Sequence, residues 1–399
     1  MTKPGPTDQP STARTQRSRT NPTAPACDAT DPYITRPRGA EHPMTIDTFQ
    51  YHALPMRVTF GVDAISNLSD EADRAGLTRA VVLCTASQAD IARTALSALG
   101  GRGAGLFTDA RMHVPVETAA AALNYVDEVG ADGCIAVGGG SSIGLGKAIA
   151  LKAGLPIIAV PTTYAGSEMT PIWGITRGGR KQTGRDPAVL PTSVIYDPQI
   201  TTSLPSEISA ASGLNAVAHA VEALYAPDAS PIISLMAEEG VRAIVGALPA
   251  IVADGADLQA RTAALYGAWL CGACLGATTM SLHHKLCHVL GGALDLPHAQ
   301  THAIVLPYVL AYNENHATGA RTALQRALRV DYPPSLALWK TAAQLPIPHS
   351  LTAIGVVADQ LPAIVEQVLA SPYANPAPIH AEGLQRILHQ ALHGLEPQP

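Results

Sequence analysis

Imidazoles crowd one late stretch of this 399-residue chain. Between Asn215 and His302 lie six of its fourteen histidines: His219, His283, His284, His288, His298 and His302. Asn215 and His219 stand four residues apart, as do His284 and His288, a spacing that sets each pair on one face of a helix. His298 follows Gly291-Gly292 and Pro297, where a helix should have ended. Rings converging from two helices and a loop are what a divalent metal site or a proton-handling pocket requires. Any single histidine could be a hydrogen-bonded core residue instead. Two i,i+4 pairs in otherwise apolar helices point to a catalytic cleft.

A second chemistry is written in Gly138-Gly-Gly-Ser-Ser-Ile-Gly-Leu-Gly-Lys147, between an apolar strand, Gly133 to Val137, and a helix running through Ala150. Glycines at a strand-to-helix turn let backbone amides approach a ligand, and a helix N-terminus favours an anion, so the turn suits a dinucleotide's pyrophosphate. The spacing is neither GxGxxG nor GxxxxGK[ST], and glycine runs after strands also serve as plain tight turns. Another strand, Leu155 to Val160, leads into Pro161-Thr-Thr-Tyr-Ala-Gly-Ser-Glu-Met-Thr170. Its small hydroxyl residues could reach phosphate, ribose or a nicotinamide amide, or simply cap a turn.

The elements that must position these groups alternate. Met56 to Phe60, Ala80 to Cys84 and Gly105 to Phe107 read as strands, while Ala64 to Ala75, Ile91 to Leu99 and Val116 to Val129 read as helices. Such βαβ alternation implies a parallel sheet covered on both faces. After Leu204-Pro205 the strands stop and Ala- and Leu-rich helices run on, the first capped by Ser203 or Ser206. The expected organisation is an α/β nucleotide-binding domain over 44–205 and an all-helical domain over 206–399, preceded by a disordered extension, 1–43, with Met44 as a candidate natural start. Hydrophobic residues make up 47% of the chain and aromatics only 4%, so Ala, Leu, Val and Ile must fill the core. A net charge of −6 without a basic block argues against a nucleic-acid partner. The six cysteines read as reduced, buried thiols of a cytoplasmic protein. The uncharged stretch from Thr262 to Leu282 reads as a buried helix of a protein without a membrane span.

Taken together, Gly138-Gly-Gly-Ser-Ser, Pro161-Thr-Thr-Tyr-Ala-Gly-Ser-Glu, Asp197-Pro198, Ser212-Gly-Leu-Asn-Ala-Val-Ala-His-Ala-Val-Glu222 and Pro297-His298 resemble the iron-containing alcohol dehydrogenase superfamily, in order from about Phe49 to the C-terminal region. Within it the chain is most similar to the maleylacetate reductases. The Pro161 loop is one residue shorter than in ordinary members, and Asp109-Ala-Arg-Met-His-Val-Pro115 and Lys181-Gln-Thr-Gly-Arg-Asp-Pro187 resemble reductase sequences. The superfamily's iron is held by an Asp and three His. Here Asn215 stands at the Asp position and His219, His284 and His298 at the three His positions, while His288 matches an active-site histidine that does not bind metal. A neutral amide beside three imidazoles removes the only anionic donor.

The resemblance implies reduction of the C=C bond of maleylacetate to 3-oxoadipate by NADH or NADPH in aromatic-compound degradation, in a cleft between the two domains. His219, His284, His288, His298 and Asn215 are the expected catalytic set. Gly138, Gly139, Gly140, Ser141, Ser142, Thr162, Thr163 and Lys181 are expected on the cofactor. Arg111, His113 and Lys285 are candidates for the two substrate carboxylates. No metal is expected to be required, and the expected assembly is a homodimer. A metal-dependent alcohol or aldehyde dehydrogenase of the same superfamily, or a dehydroquinate-synthase-like lyase, are the alternatives, and Asn215 speaks against both.

Overall fold

Short runs of fully buried aliphatic residues become the strands, and the segments between them fold into covering helices. The computed structural model describes residues 48–178, 180–371 and 373–398, without the side chains of Arg180 and Lys181. The extension 1–43 and the start at Met44 therefore lie outside the described residues.

In chain order the first half contains β1 (Arg57–Phe60), α1 (Leu68–Arg74), β2 (Ala80–Leu83), α2 (Ala89–Ala98), β3 (Gly103–Phe107), α3 (Val116–Val129), β4 (Gly133–Gly138), α4 (Gly140–Ala153) and β5 (Ile157–Pro161). The helix expected from Ala64 is a 3-10 turn over Ala64–Asn67 running into α1. Three further strands were not expected: the antiparallel pair β6 (Ile172–Arg177) and β7 (Arg180–Arg185), and β8 (Ser193–Tyr196). Arg180-Lys-Gln-Thr-Gly-Arg185 has no apolar residue, so it carries no period-two signal. Thr176 on β6 holds the preceding loop, accepting no strain itself: its amide bonds the Val114 carbonyl at 3.0 Å and its hydroxyl bonds the His113 carbonyl at 2.8 Å.

The main sheet is six-stranded and wholly parallel, in the order β1-β8-β5-β4-β2-β3. From β2 the chain moves outward to β3, then returns to β4 on the other side. That reversal makes the carboxyl ends of β2 and β4 a topological switch point, where open α/β sheets bind ligands.

Helices follow: α5 (Ser206–Leu224), α6 (Pro231–Ala253), α7 (Leu258–Ala277), α8 (Leu282–Leu294), α9 (His298–Asn313), α10 (Thr318–Leu328), α11 (Pro334–Ala343), α12 (Leu361–Leu369) and α13 (Ala381–His393). Neither serine expected to cap α5 does so. Pro205 occupies the cap position, without a side-chain bond, and Ser206 is already helical. α5 is the centre of this half. Its Leu214, Val217 and Val221 pack among Ile244 and Leu248 of α6, Cys271 of α7 and Leu306 of α9. Alanines at 210, 211, 216, 218, 220 and 223, all buried, let the neighbouring helices come close without aromatic filler.

Cys271 and Cys274 stand at C-x-x-C spacing, yet both are buried on α7 and unbridged. No single helix among the described residues is long and apolar enough to cross a membrane; α7 and α8 pass such a test only as a pair bent by 94°.

Candidate active site

The glycine-rich run does not precede α4, as expected, but forms its first turns, because the helix starts at Gly140. Gly138 ends β4 at φ +139° and a Cβ there would lie 2.4 Å from Ser142 Oγ, while one on Gly139 would lie 2.9 Å from Thr163 Oγ1. Only glycine fits that cradle. At Gly140 a Cβ would meet nothing within 4 Å, so the helix end opens outward. No side chain caps α4, which leaves its first amides directed at the switch point. Ser142 Oγ and Thr162 Oγ1 are buried without a hydrogen-bond partner in the protein. Uncapped amides, orphaned hydroxyls and a crevice that excludes side chains fit a dinucleotide's phosphates, which Gly139, Gly140, Ser141 and Ser142 would hold with Thr162 and Thr163 across the turn. Lys181 pairs with Thr176 in the β6–β7 ladder, and its side chain lies outside the described residues.

The second loop is fixed from below. The buried Lys147 ammonium donates to the carbonyls of Ser167 at 2.6 Å, Thr170 at 2.8 Å and Ile172 at 2.8 Å. Farther up the loop, Gly166 lies against Gly272 of α7 so closely that a Cβ on Gly272 would sit 2.9 Å from the Gly166 Cα. That contact presents the Ala165 carbonyl to α5, where it accepts a hydrogen bond from His219 Nε2 at 3.1 Å.

From there a chain of short contacts runs through the buried side chains. His219 Nδ1 and His284 Nε2 are 2.8 Å apart, and His284 Nδ1 is 2.6 Å from Glu222 Oε2. The Glu222 carboxylate also accepts the backbone N–H groups of Ser281 at 2.9 Å and His283 at 2.7 Å, at the N-terminus of α8. It accepts throughout and donates nowhere. Acceptors therefore stand at both ends of the chain, a carboxylate at one and a carbonyl at the other. Two imidazoles between them need a proton on His284 Nδ1, a second on His219 Nε2 and a third in the bond between the rings. Three protons on four nitrogens make the pair an imidazole and an imidazolium, balanced by Glu222. Burial first, then the neighbouring His284, hold His219 well below the ordinary imidazole range.

His288 and His298 complete the group on its outer side. Their rings are 6.0 Å apart and nearly parallel, with His288 exposed and His298 half-buried. His298 is not on a loop, as expected, but is the first residue of α9, since Asp295 ends α8 in the left-handed conformation and only two residues intervene. His302, one turn farther along α9, has its ring 4.2 Å from His298 and 5.0 Å from His284. Glu222, His283 and His302 were quoted in the sequence but not assigned to the site. Glu222 lies three residues after His219, a spacing that could have pointed to it, but its partner is 62 residues away.

The carboxylate candidates do not come together in the same way. Arg111 makes a two-point ion pair with Asp109 at 3.0 and 3.1 Å. Lys285 stands 5.9 Å from the Tyr373 ring centroid. His113 has its Nε2 4.0 Å from Asp295 Oδ1 at the end of α8, and both it and Val114 have positive φ, 61° and 47°. Positive φ at a β-branched valine is costly, and here the Thr176 bonds hold it.

Family models match both halves: "Iron-containing alcohol dehydrogenase" over 55–198 and "Fe-containing alcohol dehydrogenase family, C-terminal" over 209–392. The chain belongs to the iron-containing alcohol dehydrogenase family. It lies in the family's maleylacetate reductase branch and is an oxidoreductase. It is 50% identical over 352 residues to the maleylacetate reductase of Burkholderia cepacia, covering 88% of this chain and 100% of that protein. The enzyme of the same name from Pseudomonas knackmussii is 48% identical over 341 residues, 86% of this chain and 97% of that one. A crystal structure of maleylacetate reductase from Agrobacterium tumefaciens superposes with a TM-score of 0.85 at 48% identity, covering 88% of this chain and all of that one.

The family name implies iron, and the residues at its position do not fit the ion. Asn215 contributes a neutral amide, 3.4 Å from His219 through Nδ2, and both ring nitrogens of His219 are engaged, by His284 and by Ala165. Among the described residues, the trio whose ligand atoms all lie within 4.8 Å of one another is His283, Cys287 and His302, not His219, His284 and His298.

Proposed function

We propose that this chain reduces the C=C bond of maleylacetate to 3-oxoadipate with NADH or NADPH, and does so without a metal ion. The single observation that carries the reading is the Glu222–His284–His219–Ala165 chain of short contacts, whose acceptors at both ends call for one surplus proton. A bound nicotinamide supplies hydride. The substrate is a dianion in which a ketone is conjugated to the double bond. As the carbon β to the ketone gains the hydride, negative charge builds on the ketone oxygen, and a preorganised cation nearby lowers that barrier. The His284–His219 imidazolium is such a cation, held in register by Glu222 and excluded from water. The carbon next to the ketone must then take a proton, which closes the balance of one hydride and one proton across the former double bond. His288 and His298, the outward members of the group, are the residues placed to deliver it. The substrate's carboxylates call for cations, and His113 is the proposed candidate.

The support against a catalytic iron is the donor set, which lacks an anionic ligand and already spends its imidazole nitrogens on one another. NADH oxidation measured with maleylacetate, and NAD+ reduction measured with ethanol and 1,3-propanediol, test the reading. Turnover of maleylacetate, unchanged after prolonged chelation, is expected. Turnover of the simple alcohols or aldehydes alone, lost on chelation and restored by iron or zinc, would move the assignment to the metal-dependent dehydrogenases.

A further inference from the structure

Behind the catalytic imidazoles lies a second group that the proposed reaction does not use. His283 and Cys287 stand four apart on α8, so their side chains share a face, and His302 meets them from α9. All three are buried, at 1%, 1% and 0% exposure. His283 Nε2 is 3.0 Å from His302 Nδ1 and 3.7 Å from Cys287 Sγ. The remaining ring nitrogens, His283 Nδ1 and His302 Nε2, are buried with no hydrogen-bond partner. The nitrogens spaced for an ion are the other two, His283 Nε2 and His302 Nδ1, and with Cys287 Sγ the three residues offer ligand atoms that all lie within 4.8 Å of one another.

The spacing matches a small tetrahedral ion. Zinc bonds of about 2.0–2.1 Å to nitrogen and about 2.3 Å to sulfur give ligand–ligand edges of roughly 3.3–3.6 Å in a tetrahedron. The observed 3.0 and 3.7 Å bracket those edges. The donor types agree as well. A thiolate and two imidazoles form a soft set carrying the negative charge that the Asn215 group lacks. We propose that His283, Cys287 and His302 form a zinc(II) site, separate from the position that holds iron in relatives. On binding, the Cys287 S–H proton is released to solvent and the thiolate, His283 and His302 each donate one lone pair. The fourth position remains for a small ligand entering past the half-buried His298, whose ring lies 4.2 Å from His302.

Cobalt(II) titration of the purified full-length protein tests the site without reference to turnover. One equivalent should bind and give a near-ultraviolet thiolate-to-cobalt charge-transfer band. The band should vanish in Cys287→Ser and His302→Ala and persist in Asn215→Ala. Zinc, preloaded at one equivalent, should prevent the cobalt band from forming. Absence of the band in the unmodified protein, a reading that needs no variant, would overturn the site, as would its survival in Cys287→Ser.

Discussion

At the scale of single residues, Glu222 decides what the histidines are. Without its charge, the proton between His219 and His284 has nothing to balance it in a buried pocket, and the imidazolium is lost. Glu222→Gln keeps the shape and removes the charge. It should lower kcat about a hundredfold, ~2.7 kcal/mol, with KM for NADH nearly unchanged because Glu222 does not face the α4 crevice. Steady-state kinetics in both substrates would check this, and a parallel rise in the NADH KM would mean that the variant had merely loosened the fold. Asn215 sets the other limit. Asn215→Asp restores an anionic donor, so metal affinity, read by equilibrium dialysis, should rise while maleylacetate turnover falls.

Between single residues and the whole fold, the elements do their work by where they end. β2 ends at Leu83, and Thr85 beyond it bonds the Ser87 hydroxyl at 3.0 Å, with no carboxylate at the strand's end to select a ribose hydroxyl over a 2′-phosphate. kcat/KM for NADH and NADPH should therefore agree within about a hundredfold, roughly 2.7 kcal/mol. A larger ratio would show that another group does the discriminating. α7 acts through a contact with no side chain at all. In Gly272→Ala the new methyl meets the Gly166 backbone at 2.9–3.0 Å, and neither main chain can give way easily. Thermal denaturation should show a loss of about 1–3 kcal/mol, and kcat should fall further than stability implies, because the Ala165 carbonyl moves off His219. β1, α1 and β8 are tied by Glu71, which is 2% exposed and accepts from Arg57 at 2.8 Å and Ser193 at 2.7 Å. Burial by itself would raise its carboxyl, but the bonds from Arg57, Ser193 and Thr59 bring it below its ordinary 4.5. A lowered folded value means stability that is present above 4.5 and lost as pH falls through the folded value. Glu71→Gln should be the less stable protein at pH 7, and the difference should shrink in acid unfolding curves.

Across the whole molecule, one cation joins the sheet-bearing half to the helical half. Arg261 of α7 is fully buried, with no carboxylate partner among the described residues. It donates instead to the Leu204 carbonyl at 2.7 Å, Ser209 Oγ at 2.7 Å, Tyr164 OH at 3.1 Å and the Gly255 carbonyl at 2.8 Å. These groups belong to the connection between the halves, the head of α5, the loop after β5 and the turn before α7. Arg261→Met leaves four oxygens without their donor, so a loss of about 3 kcal/mol or more is expected, seen as a lower urea midpoint. If the midpoint stayed put, Arg261 would be a passenger in a joint held by apolar packing.

Local periodicity sufficed for much of this. Apolar runs of four to six residues marked β2, β4 and β5, and i,i+4 spacing placed Asn215 with His219 and His284 with His288 on shared helix faces, because such patterns depend only on residues close along the chain. The glycine run at Gly138 was legible for the same reason. The β6–β7 pair was not, since a polar hairpin has no hydrophobic period to read. Nor could spacing reveal that His298 opens a helix after a left-handed Asp295 instead of lying on a loop. Above all, the protonation of the histidines was decided by contacts 54, 62 and 65 residues apart, to Ala165, between Glu222 and His284, and between His219 and His284. One of those partners is a backbone carbonyl, aimed by the packing of two glycines. A carbonyl has no residue type, so only the folded chain could bring it to the site.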